Sequence, residues 1–150
     1  VNTGHKEGLI QGNEDWVSVF LESINHEIFY YIREFKIDNG IEFAPKIEIW
    51  VNYYEHNNWQ ERHDHVAKDN VISFSYLHKS PSDSGNFRFH NPLPNMNSKH
   101  FEFLKRYEEI PPLEGSLIMF PSWLEHSVSI NKSEEHRISI SGNIFFEEWL

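Results

Sequence analysis

Residues 61–77, ERHDHVAKDNVISFSYL, place two histidines two positions apart directly ahead of a run rich in β-branched and aromatic residues. On extended backbone, side chains two apart point to the same face and the residue between them points away. His63 and His65 can therefore look into one cavity while Asp64 looks out. The following run, residues 70–78, reads as a strand. A histidine pair at the threshold of a strand suits a metal site at the mouth of a β-barrel; taken singly, such a pair is more often a surface loop.

Outward from this stretch, the chain changes its periodicity once. Residues 1–12 are polar and glycine-bearing and read as a loop or arm. From Asn13, Trp16, Phe20, Ile24, Ile28, Tyr31 and Phe35 recur at three- and four-residue spacing, one apolar stripe of a helix. Asn13 suits the cap, Glu14 and Asp15 suit the positive end of the dipole, and DNG at 38–40 supplies a stop. After Pro45 the period falls to two: Ile47, Ile49, Val51 and Tyr53 alternate with Glu48, Trp50, Asn52 and Tyr54. Further strands are predicted near 70–78, 86–90, 116–121, 125–130 and 136–146, separated by clusters of turn residues. A helical turn is weakly patterned over 98–107. The organisation is one domain over 1–150, with a helical N-terminal part at 1–40 and a β core at 45–147. A helix followed by many short strands predicts a mainly β fold, a barrel or jelly roll with the helix packed outside.

Composition narrows the chemistry. The chain of 150 residues contains no cysteine, which excludes disulfides, Fe–S clusters, thiolate zinc sites and cysteine nucleophiles. Aromatic residues make up 15% of it, enough to build a core from rings. The formal net charge of −10 argues against a nucleic-acid partner. No run of 18 apolar residues suggests a membrane span. A cytoplasmic location is the default expectation, and the start at Val1 is read as incomplete. Oligomeric state is not legible.

A third histidine, His126, opens a strand after FPSWLE at 120–125. Two imidazoles close in sequence and a third about sixty residues on is the arrangement of a mononuclear metal site, and imidazole suits Fe, Zn, Cu or Ni. Arg137, Ser139 and Ser141 share one face of the last strand, and Ile138, Ile140 and Ile144 the other. A guanidinium on an inner barrel face calls for an anion, and its planar fork fits a carboxylate. The residues thus ask for an acidic small molecule beside a metal.

Together, HDHVAKDNVISFSYL at 63–77, SGNFRFHNP at 84–92 and EGSLIMFPSWLEHSVSINKSEEHRISIS at 114–141 resemble the Fe(II)/2-oxoglutarate-dependent dioxygenases. More narrowly, they are similar to 2OG-Fe(II) oxygenases of marine bacteria and phages that carry an H-x-H-P segment before a serine-bearing strand. The resemblance runs from about Trp50 to Phe145. It implies a double-stranded β-helix (cupin-like jelly roll), Fe(II), 2-oxoglutarate as cosubstrate, and O₂. The implied reaction is oxidative decarboxylation to succinate and CO₂, coupled to hydroxylation of a small-molecule or peptidyl substrate. By position, His63 and His126 would ligate iron, Arg137 would hold the distal carboxylate with Ser139 beside it, and Tyr76 would assist. Asn52 and Trp50 are placed in the pocket wall, and residues 91–111 are read as a lid over substrate.

The chain departs from the superfamily's His-x-Asp or His-x-Glu at one place: the carboxylate position is His65. Three readings stay open. Iron is held by His63, His65 and His126; or His65 is no ligand; or His65 is the first ligand with Ala67 at the carboxylate position, leaving room for a halide. Two rival functions accompany them, a three-histidine cupin enzyme that does not use 2-oxoglutarate and a non-catalytic jelly-roll binding module.

Overall fold

The structure is a computed structural model and describes residues 6–9, 15–35, 45–67, 69–93 and 105–146. Its elements in chain order are β1 (Lys6–Leu9), α1 (Asp15–Glu34), β2 (Pro45–Tyr54), β3 (Gln60–His63), β4 (Asn70–Lys79), β5 (Phe87–His90), β6 (Tyr107–Ile110), β7 (Leu117–Pro121), β8 (His126–Val128) and β9 (Arg137–Phe146). The strands form a five-stranded sheet in the order β1-β2-β9-β4-β7 and a four-stranded sheet in the order β3-β8-β5-β6, all pairs antiparallel. Crossing between two sheets at nearly every connection is the double-stranded β-helix topology. The fold is mainly β, with the helix outside, as expected.

Two cores hold it. Ile24, Ile28 and Ile32 of α1 pack with Ile49, Ile72, Phe74 and Ile144 on the outer face of the larger sheet. Between the sheets, Tyr54, Leu77, Phe87, Ile118, Phe120 and Val128 form the second cluster. The larger sheet is thus covered on both faces, and its inward face is partly polar. There, Asn52 Nδ2 donates to Ser141 Oγ at 2.8 Å and to Ser139 Oγ at 3.3 Å, Ser141 Oγ donates to Ser75 Oγ, and Ser73 Oγ donates to Asn143 Oδ1. Each buried hydroxyl or amide in this ladder finds a partner on the next strand, which removes most of the cost of burying it.

Several expectations are corrected. Lys6–Leu9 is not a loop or arm: it adds an edge strand to β2, Lys6 lying opposite Tyr53 and Leu9 opposite Trp50. The N-terminal part is therefore not purely helical. Four residues are too few to display a period, and an edge strand is held by backbone bonds that ask little of its side chains. Trp16 and Phe35, read into the helical stripe, are 38% and 65% exposed, because the buried row centres on Ile24, Ile28 and Ile32. Gln60–His63 forms a strand that alternation did not reveal, interrupted by a bulge between its two paired ends. Within the stretch read as a lid, Tyr107–Ile110 is instead the strand β6 against β5. The helix cap at Asn13 and Glu14, the stop at 38–40 and most of the turn read over 98–107 lie outside the described residues. Among the described residues no helix is long and apolar enough to cross a membrane.

One glycine is required by packing rather than by a turn. A Cβ on Gly142 would stand 2.5 Å from Phe74 Cζ and 2.6 Å from the Glu48 carbonyl oxygen. Phe74 is its cross-strand partner, and the ring occupies the space a side chain would need. Gly142→Ala is expected to destabilise the fold by about 1–3 kcal/mol through overpacking, measured as a lower urea midpoint with unchanged slope.

Candidate metal centre

The three histidines converge. His63 and His126 are direct cross-strand partners in the β3–β8 pair, so their side chains emerge side by side from one face. His65 follows one turn of extended chain later, beyond the end of β3. Its N–H donates to the Ser122 carbonyl at 2.9 Å, and its own carbonyl accepts from Asn70 Nδ2 at 2.7 Å. Asp64 lies between them, exposed, and its carboxylate caps the loop by accepting from the Val66 N–H at 3.0 Å. The ring centroids of His63 and His126 are 4.2 Å apart, and each is 5.0 Å from that of His65. One nitrogen from each can be chosen so that all lie within 4.8 Å of one another.

The backbone prepares these rings for a metal. His63 Nδ1 lies 2.7 Å from the Glu61 carbonyl and His126 Nδ1 2.9 Å from the Leu124 carbonyl. A carbonyl can only accept, so both bonds place the proton on Nδ1 and leave Nε2 with a free lone pair. His126 is also enclosed: Phe87 stacks on it at 5.3 Å and Phe120 sits at 4.6 Å. Burial pushes the imidazole down to about 3, and the nearby His63 and His65 add to the shift against the opposing Leu124 bond. A neutral imidazole is the form a metal takes.

The cavity containing the histidines is bounded by Trp50, Asn52, Tyr54, Gln60, Ser139 and Ser141 among others, and encloses about 30 Å³. Arg137 is 1% exposed and lies beyond this wall, its guanidinium carbon 5.6 Å from the centre of the Tyr54 ring. One terminal nitrogen donates to the Gly85 carbonyl at 2.6 Å, while its buried Nε has no partner. Among the described residues no carboxylate pairs with it. A buried cation lacking a counterion and keeping an unsatisfied donor is a built demand for an anion.

The structure thus brings together His63, His65, His126, Asn52 and Ser139, with Trp50 5.6 Å from His65 and Arg137 one inward position deeper than Ser139. It does not bring Tyr76. That residue sits on the opposite face of β4, its ring 5.5 Å from Phe20 of α1. The tyrosine at the pocket is Tyr54, the cross-strand partner of Arg137, whose hydroxyl donates to Gln60 Oε1 at 3.3 Å. Tyr54 shares strand parity with Asn52, and that was the available signal. A larger groove of about 600 Å³, bordered by Trp59, Arg62, Arg88 and Lys132, lies on the outer side of the smaller sheet and contains none of the three histidines.

A family model described as "Putative 2OG-Fe(II) oxygenase" matches residues 48–143, more than half of the chain. The chain belongs to this family. It is a non-haem iron oxygenase of the class whose cofactor and cosubstrate are Fe(II) and 2-oxoglutarate. Solved structures agree in fold. A Pseudomonas putida prolyl-4-hydroxylase superposes with a TM-score of 0.69 at 14% identity, covering 96% of this chain and 73% of that one. A Trichoplax adhaerens prolyl hydroxylase in complex with a hypoxia inducible factor peptide fragment gives 0.66 at 19% identity, covering 97% and 65%. The viral collagen prolyl hydroxylase of Paramecium Bursaria Chlorella virus-1, a 2OG complex, gives 0.62 at 12%, covering 96% and 80%. No curated protein matches the chain significantly. At these identities the likeness concerns the fold.

The burial of His126 gives the oxygenase a pH signature without metal. Its folded pKa lies below the unfolded value near 6.5, so the unfolded chain binds the extra proton first as pH falls. This contribution to stability is complete above pH 6.5 and is lost progressively towards pH 3. Urea unfolding of metal-free protein should show a loss of about 2 kcal/mol from this group between pH 7.5 and 5, and His126→Gln should flatten the profile by that amount.

Proposed function

We propose that this oxygenase couples oxidative decarboxylation of 2-oxoglutarate to hydroxylation of a second substrate, with iron held by three imidazoles. The observation that carries the reading is the convergence of His63, His65 and His126 on one side of Tyr54 with the unpaired guanidinium of Arg137 on the other. The donor set fits Fe(II): three neutral nitrogens, two of them fixed in tautomer by backbone carbonyls. When bound, Fe(II) and 2-oxoglutarate supply the O₂-dependent oxidising chemistry of the family.

The chain's own residues bind and orient. His63 and His126 would hold the metal through Nε2, and His65 through one of its ring nitrogens. Arg137 would take the distal carboxylate of the cosubstrate as a two-point anion clamp, with Ser139 and Asn52 along its path and Tyr54 at its gate. An enclosed volume of about 30 Å³ matches one or two waters rather than a five-carbon dicarboxylate, so entry requires a wall side chain to move. The Tyr54–Gln60 bond, long at 3.3 Å, is the wall element whose release connects the histidines to Arg137. The ring carbons of Phe87 and Phe120 keep water away from the buried side of the site.

That small volume favours one second reading, a three-histidine enzyme that does not use 2-oxoglutarate. Anaerobic titration separates the two. Addition of Fe(II) and then 2-oxoglutarate should develop a visible metal-to-ligand charge-transfer band and, on exposure to O₂, succinate. Arg137→Ala should raise the concentration of 2-oxoglutarate needed for the band at least about tenfold, in line with loss of a charge-assisted bidentate contact. Tyr54→Phe should raise it less, and Tyr76→Phe should leave it unchanged. A band that ignores Arg137, or none at all with iron bound, rejects the proposal.

A further inference from the structure

The histidine cavity shares a wall with the larger groove on the outer side of the smaller sheet. Gln60 and Val128 border both spaces. They are cross-strand partners in the β3–β8 pair, and the ladder bulges between Gln60 and His63. A bulge leaves part of the ladder unpaired and bends the strand, so the sheet is locally loosened where groove and cavity adjoin. On the inner side, Gln60 Oε1 accepts from the Tyr54 hydroxyl at 3.3 Å, beyond the usual length of such a bond. Gln60 thus stands at a junction of three: the groove, the histidine cavity and the ring that screens Arg137.

The groove also comes within one residue of the buried guanidinium. Gly85 borders it, and the Gly85 carbonyl accepts from Arg137 Nη1 at 2.6 Å. Gly85 has a φ of +91°, and a Cβ there would stand 2.2 Å from the Ser129 carbonyl oxygen, so glycine is required. It therefore contributes only main chain to the wall between the groove and Arg137.

The two spaces differ in what they hold. A groove of about 600 Å³ is the size of a small-molecule site, typically about 300–1,000 Å³. The cavity, at about 30 Å³, has room for about one water. Three cations, Arg62, Arg88 and Lys132, border the groove together with three carboxylates, Glu61, Asp83 and Glu109. Glu109 holds Arg88 at 2.6 Å, and Glu125 holds Arg62. Walls balanced in this way give a dianion no deep electrostatic well, which fits passage rather than storage. The stronger anion site lies behind the wall, where Arg137 keeps a buried Nε without a partner.

Resting on the oxygenase reading, we infer that this groove is a second entrance to the site, through which 2-oxoglutarate enters and succinate leaves, with Gln60 as its gate. Rotation of the Gln60 side chain off Tyr54 and towards the groove opens the shared wall, and the dicarboxylate passes to Arg137. The consequence is kinetic: cosubstrate exchanges while a second substrate occupies the histidine side.

The chain has no cysteine, so a single introduced thiol can be capped reversibly. Ile130 borders the groove, is 46% exposed and does not line the histidine cavity. Ile130→Cys is capped with a bulky aryl methanethiosulfonate and released with reductant. Exchange of ¹³C-labelled 2-oxoglutarate is followed by NMR on the Zn(II)-loaded protein, where no oxidation occurs. Capping should slow association and dissociation together by at least about tenfold and leave Kd unchanged, because a plug raises the barrier and not the end states. Reductant should restore both rates, and Gln60→Ala without a cap should raise both. The same cap on Val19→Cys, at an exposed position of α1, should change neither. Rates that ignore the cap on Ile130→Cys, or a cap that weakens affinity at an unchanged association rate, overturn the inference. Failure of the oxygenase reading has a different signature: uncapped protein then shows no saturable binding of 2-oxoglutarate, which withdraws both proposals, whereas a wrong entrance leaves binding intact and insensitive to the cap.

Discussion

The candidate site depends on the pairing of β3 with β8. In an antiparallel ladder, directly opposed residues point to the same face, and a slip of one position reverses every side chain. With His63 opposite His126, both imidazoles enter the barrel; one step away, His126 would face solvent with Ser127 inside. The ladder is short, and it is held on its far side by β5, where Phe89 stands opposite His126 and Phe87 opposite Val128. The aromatic packing that encloses His126 thus also specifies the register that makes it a ligand.

Electrostatics follow from that enclosure. Where a carboxylate is usual in the superfamily, His65 adds no negative charge, so a divalent ion in this cavity would keep its full charge. Beyond Tyr54 lies a guanidinium with no acidic partner among the described residues. The histidine cavity and the Arg137 site beyond Tyr54 therefore both lack an anion, and both would be compensated by one ligand with a carboxylate at each end. This is the physical sense in which the proposed cosubstrate completes the protein, and it accounts for a buried arginine that a stable apo core would otherwise have little reason to keep.

Much of this was legible in the chain itself. The change of period after Pro45, the same-face geometry of His63 and His65, and the alternation of Arg137, Ser139 and Ser141 with isoleucines led to a β-barrel with a polar inner face. What misled was the larger sheet being covered on both sides. On β4, Ser73 and Ser75 face the barrel while Phe74 and Tyr76 face the helix. Burial is similar on the two faces, so hydrophobicity does not reveal which is inside, and the position of Tyr76 in the sequence points to the wrong one. Parity with the serines resolves it and leads to Tyr54 through Asn52. β1 and β3 escape the sequence pattern because four-residue strands at sheet edges, one with a bulge, leave no period to read.

The central claim is that a metal here is held by three imidazoles. X-ray absorption spectroscopy of the Fe(II)-loaded protein tests it most directly, by counting imidazole donors from their multiple-scattering signature in wild type and in His65→Ala. The account predicts three, falling to two in the variant. Two in both proteins, or a carboxylate in place of the third, would contradict it.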